Sequence, residues 1–466
     1  MHVRSTVILC LIAVLGVIAA IVVHRREPAG EIRAADAMRP LLDPGALPVA
    51  ELKRITLKRA GEDAFIFARD GATWRQVEPF AHPMQARSVD LLPTLAGEVV
   101  VVDTLETDGG EDALSPAMLG LDPPRAELIF AWPDGSLTMR FGRRGIAGRA
   151  YLRLGDAETV YVVRQDLHER AVDMDVKEWR DRAIFHDVGV DSDRIELSSA
   201  GGEIVLAREE RRWKMLQPVP SRLDEAARDE LLSALGRARS GGFILDQPED
   251  LSRFGLASPA GMVAVTTMRR LEEGGEVVQR PDTQRLIVGA RIGVGTQDRF
   301  GMIEGRPVVV RIGEAVLRAF FRQPAELVSR VASGVVAADV KTIRIDGPAG
   351  QFRLQREMER WIAPDHEDRD VPRDMVDELL SALTEARAEQ IELAPYPREL
   401  EVATITFLGF DARPMDTVRI AQLPGAGDEP GALILENGDN VLRIHTAELS
   451  LPLTPEAFGL DVQSAG

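Results

Sequence analysis

One cysteine, three tyrosines, seven histidines and five lysines among 466 residues are what this sequence is short of. A lone thiol, Cys10, allows neither a disulfide within the chain nor a multi-cysteine metal site. The histidines (His2, His24, His82, His168, His186, His366 and His445) are scattered, and no HExxH pair or Gly-x-Ser-x-Gly elbow is present. Metal hydrolysis and serine nucleophilic catalysis therefore lack their usual residues. Positive charge is also scarce. Lys+Arg total 56 against 74 Asp+Glu, a net charge of −18; the first 33 residues hold four arginines and two glutamates, so the rest carries −20. So acidic a body repels nucleic acid and anionic lipid, which are bound through clustered cations. With 45% hydrophobic and 28% charged residues the chain is neither disordered nor polytopic. At roughly 100–200 residues per domain its length is worth about three domains.

Only one long hydrophobic run occurs, Thr6 to Val23, eighteen residues without a charge. As a helix it spans about 27 Å, close to the hydrocarbon core of a bilayer. His24, Arg25 and Arg26 follow it in place of a small-x-small cleavage site, and Cys10 lies inside the run after Leu9. These features predict an uncleaved transmembrane anchor over residues 1–26 rather than a removed signal or a lipoprotein. Arg4 and the terminal amine nearly balance Arg25 and Arg26 across the run. The short tail before a large domain places the body outside the cytoplasm. Residues 27–50, with Pro28, Pro40, Pro44 and Pro48, predict a semi-extended linker.

Beyond the linker the chain repeats itself. Ile55-Thr-Leu leads to Trp74 and Pro79, Ile195-Glu-Leu to Trp213 and Pro218, and Ile343-Arg-Ile to Trp361 and Pro364. Asp229-Glu-Leu-Leu-Ser-Ala-Leu235 recurs letter for letter at Asp377 to Leu383, each sixteen residues after its tryptophan; Asp90-Leu-Leu-Pro-Thr-Leu95 holds that place in the first copy. Leucines so spaced form one helical face that must lean on a sheet. Met118-Leu-Gly120-Leu121-Asp-Pro123 matches Arg253-Phe-Gly255-Leu256-Ala-Ser-Pro259, and a strand–turn–strand unit closes every copy, around Gly155, Gly305 and Asn437-Gly438. Helix-like stretches, Leu167 to Phe185 and Glu314 to Val331, end the first two copies. The third lacks the Gly-Leu-x-Pro element and reads as truncated or degenerate. The expected fold class is α+β: three tandem units over residues 51–185, 186–333 and 334–466, mostly antiparallel, each roughly β-β-α-β-β-β-β-α, in an elongated arrangement.

This pattern resembles the bacterial family catalogued as domain of unknown function 4340 (DUF4340). Trp74 with Pro79, Trp213 with Pro218, Gly120-Leu121 with Pro123 and Gly255-Leu256 with Pro259 carry the match. The resemblance covers nearly the whole chain and departs in the third copy. It implies an accessory envelope role, since the family is often encoded beside ABC-type exporter subunits and auxiliary proteins similar to gliding-motility components. The run at Thr6 to Val23 makes the expected location the inner membrane, single-pass, with a periplasmic body. It brings no catalytic residue, cofactor or metal.

The residues themselves add no chemistry. Gly289 to Gly295 and Gly142 to Gly148 lack phosphate-loop spacing and read as turns between strands. Asp365, His366 and Asp368 are the only metal-ligand cluster a hydrolase reading can use, and a charged loop after a turn is ordinarily solvated. The three repeated tryptophans read as plugs between hairpin and helix; Trp132 and Trp179, which do not recur, are the better candidates for a contact surface. The expectation is a non-enzymatic, membrane-anchored scaffold that binds other envelope proteins, ABC exporter subunits or their auxiliaries, and no nucleic acid. Binding of an envelope polysaccharide or lipid is the alternative, and a metal-dependent hydrolase the second.

Overall fold

The computed structural model describes residues 39–105, 115–210, 212–273, 276–425, 431–446 and 449–460. The expected anchor and the linker up to residue 38 lie outside them. Among the described residues no helix is long and apolar enough to cross a membrane.

Alternating apolar and polar residues build three sheets, and each obeys one plan. The second copy shows it most simply: Ser192–Ser199, Gly202–Glu209, Arg212–Gln217 and Ser221–Arg222 are its first four strands, and Gly242–Asp246 follows the helix as the fifth. Gly261–Glu273, Glu276–Arg291, Arg299–Ile303 and Val308–Ile312 complete the nine. Across the sheet the strands run fourth, third, second, first, sixth, seventh, eighth, ninth, fifth, and the first and third sheets have the same order. Every pairing is antiparallel in the first strands (Arg54–Arg59 with Phe65–Asp70, Thr342–Gly347 with Gly350–Glu357) as in the last. The mostly antiparallel α+β repeat expected from the sequence is therefore present, with more strands than expected. Four strands, not two, precede each helix, and one leaves the helix directly to pair with the ninth strand at the opposite edge.

The helices are α1 (Ala86–Gly97), α2 (Glu225–Arg237) and α3 (Arg373–Thr384). They bury Val89, Leu92, Pro93 and Ala96; Leu231 and Leu235; and Val376, Leu379, Leu380 and Leu383. In α1 the paired leucines are shifted by one residue relative to the other copies. One residue rotates a side chain by about 100°, so Leu91 faces solvent while Leu92 and Ala96 take the core places. Asp224 caps α2 by accepting from the Ala227 N–H at 3.1 Å.

The stretches after the ninth strands are not continuous helices. In the first copy Asp166–His168 gives way to a π turn at Glu169–Asp173 and a 3-10 turn at Val176–Trp179. Leu167, Ala171, Val176 and Trp179 are all buried; their spacing of four, five and three fits one core face only if the helix widens and then tightens. In the second copy Pro324 ends one piece (Glu314–Phe320) and opens another, Pro324–Leu327. The third copy is not truncated in its sheet, which has all nine strands. Its tail also closes: the 3-10 turn Pro455–Phe458 places the Phe458 ring 5.9 Å from Phe352.

Two compact units divide between Asp181 and Arg182. The first holds the first sheet. There the end of the linker is docked, not free: Arg39–Pro40 pairs with Val100–Val101 as a tenth strand, and Leu42 is buried in the core. The second unit holds the second and third sheets.

Candidate functional site

The repeat motif is absorbed in the fold. Trp74 and Trp361 are buried and Trp213 is half-buried, each on the third strand of its sheet. The Trp74 indole N–H donates to Asp90 Oδ1 of α1 at 2.7 Å, tying strand to helix. Opposite each indole in the antiparallel register stands an arginine: Arg69 by Trp74, Arg208 by Trp213, Arg356 by Trp361. The guanidinium lies 5.5 Å from the ring centre in the first copy and 4.9 Å in the third. Each arginine then donates to a carbonyl just before the first strand: Arg69 to Val49 (3.1 Å), Arg208 to Val190, Arg356 to Ala338 (3.0 Å) and Ala337 (2.9 Å). This threefold clamp was missed at the sequence level, although its signal is an arginine five residues before every repeated tryptophan.

Pro79 and Pro218 follow cis peptide bonds, whereas Pro364 opens a 3-10 turn. Gly120 and Gly255 have φ of +69° and +66°, and each ends a turn in which the glycine and the following leucine donate backward (Gly120 to Ala117 at 3.0 Å, Leu121 to Pro116 at 2.9 Å; Gly255 to Ser252 and Leu256 to Leu251, both 3.0 Å). Pro123 and Pro259 then lead into the sixth strands at Ala126 and Gly261. A Cβ on Gly142 would strike the Leu119 carbonyl, and one on Gly289 the Phe254 carbonyl. Both glycines lie within seventh strands, so they are needed for this close approach rather than for a turn.

The third copy has the same turn in a different place. Gly459 (φ +71°) donates to Glu456 and Leu460 to Pro455, both at 3.0 Å, in the tail that covers the first hairpin. Where the other copies carry Gly-Leu, it has Tyr396 and the 3-10 turn Arg398–Leu400, which cover Ala421, Ile434 and Leu442.

Of the unrepeated tryptophans Trp179 is enclosed, whereas Trp132 keeps part of its surface exposed. Trp179 is buried with its ring 5.8 Å from Phe67, and Trp132 is half-buried over Gly135. In the acidic loop Asp365 is held by Arg353 (2.6 Å), which keeps its carboxyl below the usual carboxylate range, and Asp370 by Arg360 (3.0 Å). His366 stands edge-on to Phe352 at 6.5 Å. Arginine compensation thus accounts for two of the loop's carboxylates, and among the described residues no three ligand-type side chains are placed to share an ion. A groove of about 440 Å³ in the second copy is lined by Ser199, Ala260, Val288, Arg299, Leu317 and Phe321.

Two histidines are enclosed. His168 donates from Nε2 to the Gly142 carbonyl at 2.9 Å, and His445 is likewise buried. Burial pushes both pKa values down, against the pull of Asp173 on His168 and of Glu389 on His445. Both therefore hold a proton less readily in the fold than in the unfolded chain, which takes up protons near pH 6.5. Their stabilising contribution is complete above that pH and is lost below it, at up to about 1.4 kcal/mol per pH unit for each group. Thermal melts between pH 7.5 and 5.5 are expected to show this fall, and His168→Gln to flatten it for the first unit.

A family model described as "Domain of unknown function (DUF4340)" matches residues 105–247 and 213–401. No curated protein matches the chain.

Proposed function

Since the chain belongs to the DUF4340 family, we propose that it is a non-enzymatic scaffold of the bacterial envelope, held in the inner membrane by residues 1–26 with its body in the periplasm. Its partners are other envelope proteins, namely ABC exporter subunits or their auxiliaries. The observation that carries this reading is the role of the repeated residues. Tryptophans, arginines and glycines recur to hold strand on helix and turn on strand. Tandem modules of this kind present several surfaces from one tether, and confinement to the membrane raises the effective concentration of every partner. The buried indoles of Trp74 and Trp361 weigh against an aromatic platform for sugars or lipids. Purification of the full-length chain in mild detergent is expected to bring exporter subunits with it. Recovery of the chain alone, under conditions that keep those subunits together, would overturn the reading.

A further inference from the structure

The second sheet carries a feature that its sister copies lack. The hairpin of the sixth and seventh strands is Ala126–Trp132 with Gly135–Arg144 in the first copy and Glu401–Leu408 with Pro414–Leu423 in the third. In the second copy it is Gly261–Glu273 with Glu276–Arg291. The first strand accompanies it only as far as Thr267, opposite Ser192, beyond which the chain has turned away, the Ser192 N–H donating to the Gly189 carbonyl. The eighth strand joins the other side only from Leu286, opposite Ile303. Residues 268–273 and 276–281 therefore pair with each other alone, as a two-stranded arm beyond the sheet. Such a ribbon is marginal in water without a third strand.

The direction of its backbone is fixed. The Met268 N–H donates outward, to the Asp191 carbonyl at 3.0 Å. By the two-residue period, the N–H and C=O groups of Arg270 and Glu272 also point outward, and among the described residues nothing pairs with them. On the other edge of the arm Pro281, opposite Met268, offers no donor.

Arg270-Leu271-Glu272 is complementary to itself. Laid antiparallel on a second copy about a two-fold axis at Leu271, Arg270 faces Glu272 of the other chain twice, and Leu271 faces Leu271. The parity agrees: the outward groups of Arg270 and Glu272 meet as hydrogen-bonded pairs, which leaves Leu271 in the closer, non-hydrogen-bonded pair. Leu271, 41% exposed, stands across the arm from Val278, so pairing makes an apolar stripe of four side chains on one face. Arg269, next along, is already held by Asp282 at 2.9 Å.

We infer that this arm is a dimerisation element: two copies of the chain join edge to edge through Arg270–Glu272, making a four-stranded ribbon with isologous symmetry. The inference does not depend on which envelope protein the scaffold binds.

The test uses the full-length chain in membranes and in mild detergent, with Cys10→Ser as background. Leu271→Cys places two thiols in a non-hydrogen-bonded pair, whose Cα separation of about 4.5 Å lies within disulfide range. It is expected to give a disulfide-linked dimer. Val277→Cys, more exposed at 71% but on the outer strand of the ribbon, away from the two-fold axis, is expected to stay monomeric on the same gels. In detergent, Arg270→Glu sets like charges opposite each other at both symmetric positions and is expected to weaken dimerisation about tenfold. Arg270→Glu with Glu272→Arg restores both pairs in reversed sense and is expected to regain it. Equal cross-linking of the two cysteine variants, or a double reversal no better than the single one, overturns the proposal.

Discussion

Trp361→Ala is expected to destabilise the second unit by about 3–5 kcal/mol, the cost of emptying a large buried aromatic site. The indole is 3% exposed and joins the cluster of Ile343, Phe352, Leu379 and Leu383, so little can move in to refill the space. Its loss also removes the surface on which Arg356 lies, and with it the support for that arginine's bonds to Ala337 and Ala338. Trp213→Ala, at the equivalent but half-buried position, is expected to cost well under half as much. Urea unfolding followed by circular dichroism measures both. Equal costs would mean that the indoles act through something other than burial. Trp74→Ala tests the same point in the first unit, where the indole N–H also leaves Asp90 without its 2.7 Å donor.

That ordering of three equivalent residues marks how far the sequence can be read. Repeats of tryptophan, paired leucines and Gly-Leu gave the number of copies, the place of each helix and the closing hairpins, because these signals are local and recur at fixed offsets. The fourth and fifth strands were hidden for a physical reason. Ser221–Arg222 and Arg369–Val371 are too short to show a period, and Gly242–Asp246 is defined by its pairing with Val308–Ile312, some sixty residues away in the chain. The arginine clamp was visible as spacing, but an arginine near a tryptophan gains meaning only once the register sets them opposite each other. Truncation of the third copy was inferred from a missing motif. The motif had moved, to Phe458-Gly459-Leu460, and Tyr396 had taken over the vacated place. Composition shows the uncharged apolar run at Thr6 to Val23, but it had no means of reporting the arm, whose distinguishing property is the length of one hairpin relative to two others.

Within the second unit, arginines bridge copies two and three, and the largest effect among them is expected from Arg443. The side chain is fully buried. It donates to Asp439 Oδ2 at 2.7 Å, to the Val441 carbonyl at 3.1 Å and to the Ser329 carbonyl at 2.9 Å, the last in the segment between the second and third sheets. Nearby, Arg222 of the second copy reaches the Val331 and Ala332 carbonyls (3.0 and 2.8 Å), and Arg387 of the third reaches Asp224, the cap of α2, at 2.8 Å. Arg443→Met leaves Asp439, itself nearly enclosed, without its cation, and breaking one side of a buried pair costs about 3–5 kcal/mol. Arg443→Lys is expected to recover little, because one ammonium cannot serve three divergent acceptors as a planar guanidinium does. Arg443→Met combined with Asp439→Leu is expected to recover most of the loss, since removal of both charges leaves no orphan. Because Ser329 belongs to the connection rather than to the third sheet, the midpoint is expected to fall for both copies in one transition. Two separated transitions, with only the later one moved by Arg443→Met, would show instead that each copy carries its own stability and that the arginines merely lie along the seam.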